Sequence, residues 1–147
     1  MSSFICKNFD ELTTRELYEI LRARSAVFVV EQDCVYQDLD GIDYESTHIF
    51  MQKENGEITA YLRIFMKKGE ENTAQIGRVL TTERGKGLGG EILREGITAA
   101  KEKLSVEEIY IEAQEYAIPF YSREGFEVTS DVFLEDGIPH VEMRLRF

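Results

Sequence analysis

Arg84-Gly85-Lys86-Gly87-Leu88-Gly89-Gly90 sits between a strand-like run, residues 74–80, and a helical period that extends to about Leu104. Four glycines among basic residues at a strand-to-helix junction leave a cup of bare backbone N–H groups. The unpaired donors of a first helical turn and the positive end of the helix dipole both favour an anion there. A phosphate-bearing cofactor is the expected ligand.

Upstream, Asn55-Gly56 separates two strand-like runs, 48–53 and 57–66, and reads as a hairpin turn. Thr13 followed three residues on by Glu16 is a capping-box pattern. It starts a helix that runs to about residue 29, with Leu17, Leu21 and Phe28 on one face. Residues 3–8 read as a first strand. Residues 30–47 read as a loop rich in acid (Glu31, Asp33, Asp38, Asp40, Asp43, Glu45). Such a run is either a solvated face or an attraction for a cationic substrate.

Downstream, Gly89, Leu93, Gly96, Ile97, Ala100 and Leu104 recur at helical spacing, so one stripe packs on a sheet. Gly96 in mid-helix implies a close helix–sheet approach. Residues 108–113 alternate as a strand, and 118–123 form a short helix that stops at Gly125. Residues 126–133 and 140–146 pair as strands around Glu135-Asp136-Gly137. The order β, α, ββ, β, α, β, α, ββ gives an α/β (α+β) layer fold with a mixed sheet.

A chain of 147 residues suits one domain with one core. With 43% hydrophobic and 31% charged residues it is too apolar for disorder. A net charge of −11 excludes nucleic acid as the expected partner and suits an amine-bearing substrate. Cys6 and Cys34 are too isolated for a zinc site, so no metal is expected. Two free thiols without a signal peptide point to the cytoplasm. The longest apolar run, residues 26–30, is too short for a membrane span.

Three phosphate-binding devices compete for the glycine cup. A P-loop needs Ser or Thr after Gly85-Lys86, and Gly87 stands there. The dinucleotide fingerprint GxGxxG is matched by Gly85, Gly87 and Gly90, with Glu112 near the place of a ribose-binding acid. Only about 35 residues follow Glu112, too few to complete that fold. The third device is a pyrophosphate loop of the form Gln/Arg-x-x-Gly-x-Gly/Ala, matched by Arg84, Gly87 and Gly89. A second segment, Ala117-Ile118-Pro119-Phe120-Tyr121-Ser122-Arg123-Glu124-Gly125-Phe126, follows in order.

On these two motifs the chain resembles the GNAT superfamily of acetyl-CoA-dependent N-acetyltransferases over nearly its whole length, residues 1–147 as one domain. A narrower likeness is to the ElaA-like group. It rests on Val27-Phe28-Val29-Val30-Glu31-Gln32-Asp33-Cys34, Asp38-Leu39-Asp40-Gly41, Ile76-Gly77-Arg78-Val79 and Glu135-Asp136-Gly137-Ile138-Pro139-His140. The resemblance implies a mixed, mostly antiparallel central sheet of about six to seven strands flanked by three to four helices. It also implies acetyl-CoA as co-substrate and direct acetyl transfer to a primary amine of a small molecule or peptide. A strand edge near the C-terminus leaves a homodimer open.

By the same resemblance the pantetheine arm lies along Arg78, Val79 and Leu80 as an added strand would, with Gly77 marking a distortion. Gly85, Lys86, Gly87, Leu88, Gly89 and Gly90 then hold the pyrophosphate, with Arg84 and Lys86 supplying positive charge. The glycines would be there because side chains would block the cofactor. Many relatives carry Asn where this chain has Gln114, whose longer amide would still reach the cofactor arm. Tyr121 is the expected general acid, protonating the departing thiolate. The base is open among Glu112, Glu31, His48 and His140. Cys34 as a nucleophile lacks a base in sequence. The alternative outside catalysis is a CoA-sensing or partner-docking module.

Overall fold

Thr13 accepts the Glu16 N–H at 3.0 Å while the Glu16 carboxylate accepts the Thr13 N–H at 2.8 Å, and the first helix, α1 (Thr14–Arg24), starts there. The computed structural model describes residues 4–147; Ser3, expected in the first strand, lies outside them. After Arg24 the helix does not stop. It widens into a π-helical stretch, Ser25–Glu31, so the chain stays helical two residues beyond the expected end.

Around α1 the chain lays down β1 (Ile5–Asn8), β2 (Thr47–Gln52), β3 (Ile58–Met66) and β4 (Thr73–Thr81). Then come α2 (Leu88–Glu102), β5 (Glu108–Gln114), α3 (Ile118–Ser122), β6 (Glu127–Val128), β7 (Phe133–Glu135) and β8 (Ile138–Arg146). The sheet order is β1-β2-β3-β4-β5-β8-β6, with β7 also on β8. Only β4 and β5 run parallel, and α2 is their crossover.

The sheet has eight strands, where the sequence implies six to seven. The difference lies in residues 126–133, expected as one strand. Ser130 Oγ accepts the Glu142 N–H at 2.8 Å, and that side-chain bond replaces a ladder bond. β6 and β7 are therefore separate short strands on the same edge of β8.

Each face of the sheet has its own core. On one face Ile92 and Leu93 of α2 pack with Leu62, Ile76 and Ile109, and on the other Ile20 of α1 and Val27 of its π-helical extension pack with Phe50, Tyr61 and Leu80. Gly96 is where α2 comes closest: a Cβ there would stand 2.9 Å from Leu62 Cδ2 and 3.3 Å from Ile76 Cδ1. Gly96→Val is expected to cost ~1–3 kcal/mol through overpacking, read as a lower urea midpoint at unchanged slope. An unchanged midpoint would mean the helix stands off the sheet. Among the described residues no helix is long and apolar enough to cross a membrane.

Candidate active site

The one parallel pair in the sheet is joined over only part of its length. β4 and β5 pair only at Thr73, Ala74 and Gln75 with Glu108, Ile109 and Tyr110. Beyond that both strands continue, to Thr81 and Gln114, without a ladder between them. On its other side β4 carries a bulge. Tyr61 pairs with Leu80 and Arg63 with Gly77, so Leu62 faces both Arg78 and Val79. Arg78 takes φ +55°, a left-handed backbone that an arginine adopts at a cost of roughly 1–3 kcal/mol. The distortion expected at Gly77 therefore sits one residue on.

What holds Arg78 there is its side chain. Nε donates to Asp38 Oδ1 at 2.7 Å, and Nη2 donates to the Asp38 carbonyl at 3.0 Å and to Asp40 Oδ2 at 3.4 Å. Asp38 Oδ2 also accepts from Arg24 Nε at 3.0 Å. Asp43 Oδ1 accepts from Arg24 at 2.6 Å and from Arg63 at 3.1 Å, and Asp40 takes Arg63 Nη2 at 2.6 Å. Arg24 is wholly inaccessible and Arg63 is nearly so. Three arginines and three aspartates thus form a neutral cluster, buried at Arg24, Arg63, Asp38 and Asp43 and open to solvent at Arg78 and Asp40. The acid loop is not one solvated face: Asp38, Asp40 and Asp43 are spent on arginines. Burial would raise the Asp40 and Asp43 carboxyls, but Arg63 and Arg24 respectively override it, bringing Asp40 to about 2 and Asp43 below its usual range.

Between the diverging strands lies a cleft of about 790 Å³, within the range of small-molecule sites. Its walls include Arg78, Val79 and Leu80 on β4, and Glu112 and Gln114 on β5. Val27, Phe28 and Glu31 enter from the π-helical stretch, Tyr121 from α3, and Glu135 and His140 from β7 and β8.

The glycine cup stands at the cleft's rim, which Arg84 and Gly89 reach. Among the described residues the N–H groups of residues 85–90 donate to no acceptor, and the ladder of α2 begins with Glu91 N–H to Gly87 O at 3.2 Å. Gly85 and Gly87 have φ +79° and +72°, and a Cβ at either would meet nothing within 4 Å. Backbone conformation by itself favours glycine at those two. At Gly89 a Cβ would press on Phe120 at 3.2 Å. Leu88 and Gly90 follow in the first turn. Lys86 lies 3.6 Å from Glu83 on the surface, and Arg84 donates to Glu31 at 2.6 Å.

Tyr121 is half-buried, edge-on to Phe120 and Phe126 with centroids at 5.0 and 5.9 Å. Among the described residues its hydroxyl has no hydrogen-bond partner. Burial, with Tyr116 nearby, pushes the phenol above its ordinary value, so it stays protonated throughout the physiological range. Gln114 Nε2 donates to Gln32 Oε1 at 3.3 Å, bridging β5 to the π-helical stretch. Cys34 Sγ lies 3.5 Å from the Asp136 carbonyl oxygen, and among the described residues it hydrogen-bonds to no basic side chain.

The base candidates separate. His48 is wholly buried away from the cleft, between the Tyr61 hydroxyl at 2.7 Å and the Asp43 carbonyl at 3.0 Å, and burial lowers its pKa. It is no longer a candidate. Glu31 is exposed and engaged by Arg84. Glu112 and His140 share one corner of the cleft with Glu135, which sequence alone passed over as a turn residue. Among the described residues no group of three or more His, Cys, Asp or Glu side chains is placed to hold a metal ion.

Comparison with known proteins matches this arrangement. The acetyltransferase (GNAT) domain family matches residues 13–147. A UPF0039 protein of Schizosaccharomyces pombe is 41% identical over 145 residues, covering 97% of this chain and 95% of that one. Protein ElaA of Escherichia coli is 38% identical over 137 residues, covering 90% and 89%. The crystal structure of Escherichia coli ElaA superposes with a TM-score of 0.91 over 99% of this chain and 100% of that one, at 35% identity. An acyl-CoA N-acyltransferase from Pseudomonas aeruginosa also gives 0.91, at 37% identity and 99% of each chain. The glycine cup, the split sheet and the tyrosine on α3 thus lie in a chain that belongs to the GNAT acetyltransferase family and, within it, resembles ElaA.

Proposed function

We propose that this chain moves an acetyl group from acetyl-CoA to a primary amine of a small molecule or peptide by direct attack, without a covalent enzyme intermediate. Family membership supports acyl transfer in general. The observation that carries the finer reading is the early end of the β4–β5 ladder beside the Arg78 bulge. The cofactor's pantetheine arm would bond to the free edge of β4 at Arg78, Val79 and Leu80, as an added strand does. The diphosphate would take the free N–H groups of residues 85–90, with Arg84 and Lys86 as the local cations. Gln114 would meet the arm from β5.

In that pose Tyr121 is the general acid. Burial keeps the phenol protonated, so its O–H is available to donate a hydrogen bond to the thiolate as it departs. Two unpaired thiols suit a reducing compartment, so we place the protein in the cytoplasm.

The test is release of free CoA from acetyl-CoA across a panel of primary amines. Saturable release that needs both substrates supports the reading. Binding of acetyl-CoA with no release under any amine would leave a sensing module instead. Gly87→Glu would put a carboxylate in the cup and force an L side chain to φ +72°. It is expected to weaken acetyl-CoA binding at least about tenfold, measured by calorimetry. Full affinity would remove the loop from the cofactor site.

A further inference from the structure

Glu135 ends β7 on the cleft wall, where three other elements meet it. From β8, His140 brings Nε2 to 3.5 Å from Glu135 Oε2. The His140 Nδ1 lies 2.7 Å from the Ile138 carbonyl oxygen, an acceptor only, so Nδ1 carries the hydrogen. In the neutral ring the Nε2 lone pair therefore faces Glu135. Phe133 stacks on this buried imidazole at 6.0 Å and keeps its plane fixed. From β5, Glu112 comes to the same corner, and its Oε2 accepts the Tyr110 hydroxyl at 2.8 Å. Arg78 on the β4 bulge, Asp136 in the adjoining turn and Glu142 beside Tyr110 complete the charged surroundings.

We infer that Glu135 is the base that deprotonates the incoming ammonium, with His140 as a positioning residue and Glu112 as the facing carboxylate. This rests on the acetyl transfer proposed above. Glu135 and Tyr121 both line the cleft in which an amine would meet a thioester. Glu135 keeps 45% of its side chain exposed; the partial burial that remains, and the Glu112 carboxylate next, push it up to about 7, where a carboxyl works as a base at neutral pH.

The step balances without a further reactant. R–NH3+ gives one proton to Glu135. The freed nitrogen lone pair forms the N–C bond at the thioester carbonyl, and collapse of the adduct breaks the C–S bond. The thiolate takes the Tyr121 proton, and the second N–H proton of the adduct returns through cleft water to the phenolate. Glu135 then releases its proton to solvent. One ammonium and one thioester become one amide, one thiol and one proton.

Three small amines of falling basicity, ethylamine, glycinamide and aminoacetonitrile, serve as acceptors in a free-thiol assay. Glu135→Gln is expected to lower turnover of ethylamine about 100-fold at pH 7. Aminoacetonitrile is largely unprotonated at that pH, so its turnover should change little, which a merely structural role would not produce. Glu112→Gln removes a negative neighbour, so the Glu135 pKa falls and the acid limb of the rate profile moves to lower pH. Glu135→Gln turning over all three amines like the parent overturns the inference while leaving acetyl transfer standing. Should the parent release no thiol, acetyl transfer itself is in question, and a carbon-detected titration of the Glu135 carboxyl still decides the pair. A midpoint near 7 that drops in Glu112→Gln supports it; an ordinary carboxylate midpoint overturns it.

Discussion

Tyr121→Phe will release CoA from acetyl-CoA roughly 100-fold or more slowly than the parent chain while binding the cofactor as tightly. The substitution removes one oxygen and keeps the ring that packs against Phe120 and Phe126. Because the hydroxyl has no partner among the described residues, its loss orphans no other group, and stability should move by no more than about 0.5 kcal/mol. The effect should therefore appear in kcat and not in the dissociation constant of acetyl-CoA. Turnover equal to the parent would take the phenol out of the proton path.

Arg24→Ala is expected to destabilise the fold by ~3–5 kcal/mol, because it removes a fully buried charge and leaves the buried Asp38 and Asp43 short of a partner. Denaturant titration reads this directly. The same change should reach the cleft: Asp38 holds Arg24 through Oδ2 and Arg78 through Oδ1, so α1 and the β4 bulge share one carboxylate. A shift below about 1 kcal/mol would mean the cluster is wetter and weaker than its burial implies. The pH dependence has a definite sign. Asp40 and Asp43 are depressed in the folded chain. Their contribution is complete above the unfolded value of about 3.9 and is lost as pH falls below it, for Asp40 through about 2. In Arg24→Ala the depression of Asp43 weakens, so acid below the unfolded value should lower the melting temperature less steeply than in the parent.

Much of this was legible in the chain itself. The hairpin at Asn55-Gly56, the capping box at Thr13 and the glycine cup before α2 are local devices, written in residues a few positions apart. The tyrosine segment is equally local. What was not legible depends on distant partners. Nothing near Asp38 shows that Arg78, forty positions on, will spend it, so a run of acids looks like a solvated face. Gly77 attracts attention because glycine tolerates distortion, yet Arg78 bears it, since the guanidinium is anchored on the far loop. Glu135 looks like a turn acid until β5 and β8 bring Glu112 and His140 beside it. Ser130 looks like a strand residue until its hydroxyl takes a ladder N–H.

The most direct measurement is a crystal structure of the chain with acetyl-CoA. The diphosphate should lie on the N–H groups of residues 85–90, and the tail should run between β4 and β5 beside Arg78–Leu80. The thioester sulfur should then stand within about 3.5 Å of the Tyr121 hydroxyl. A diphosphate seated elsewhere, or a tail that bypasses the split between the strands, would contradict the assignment of this cleft.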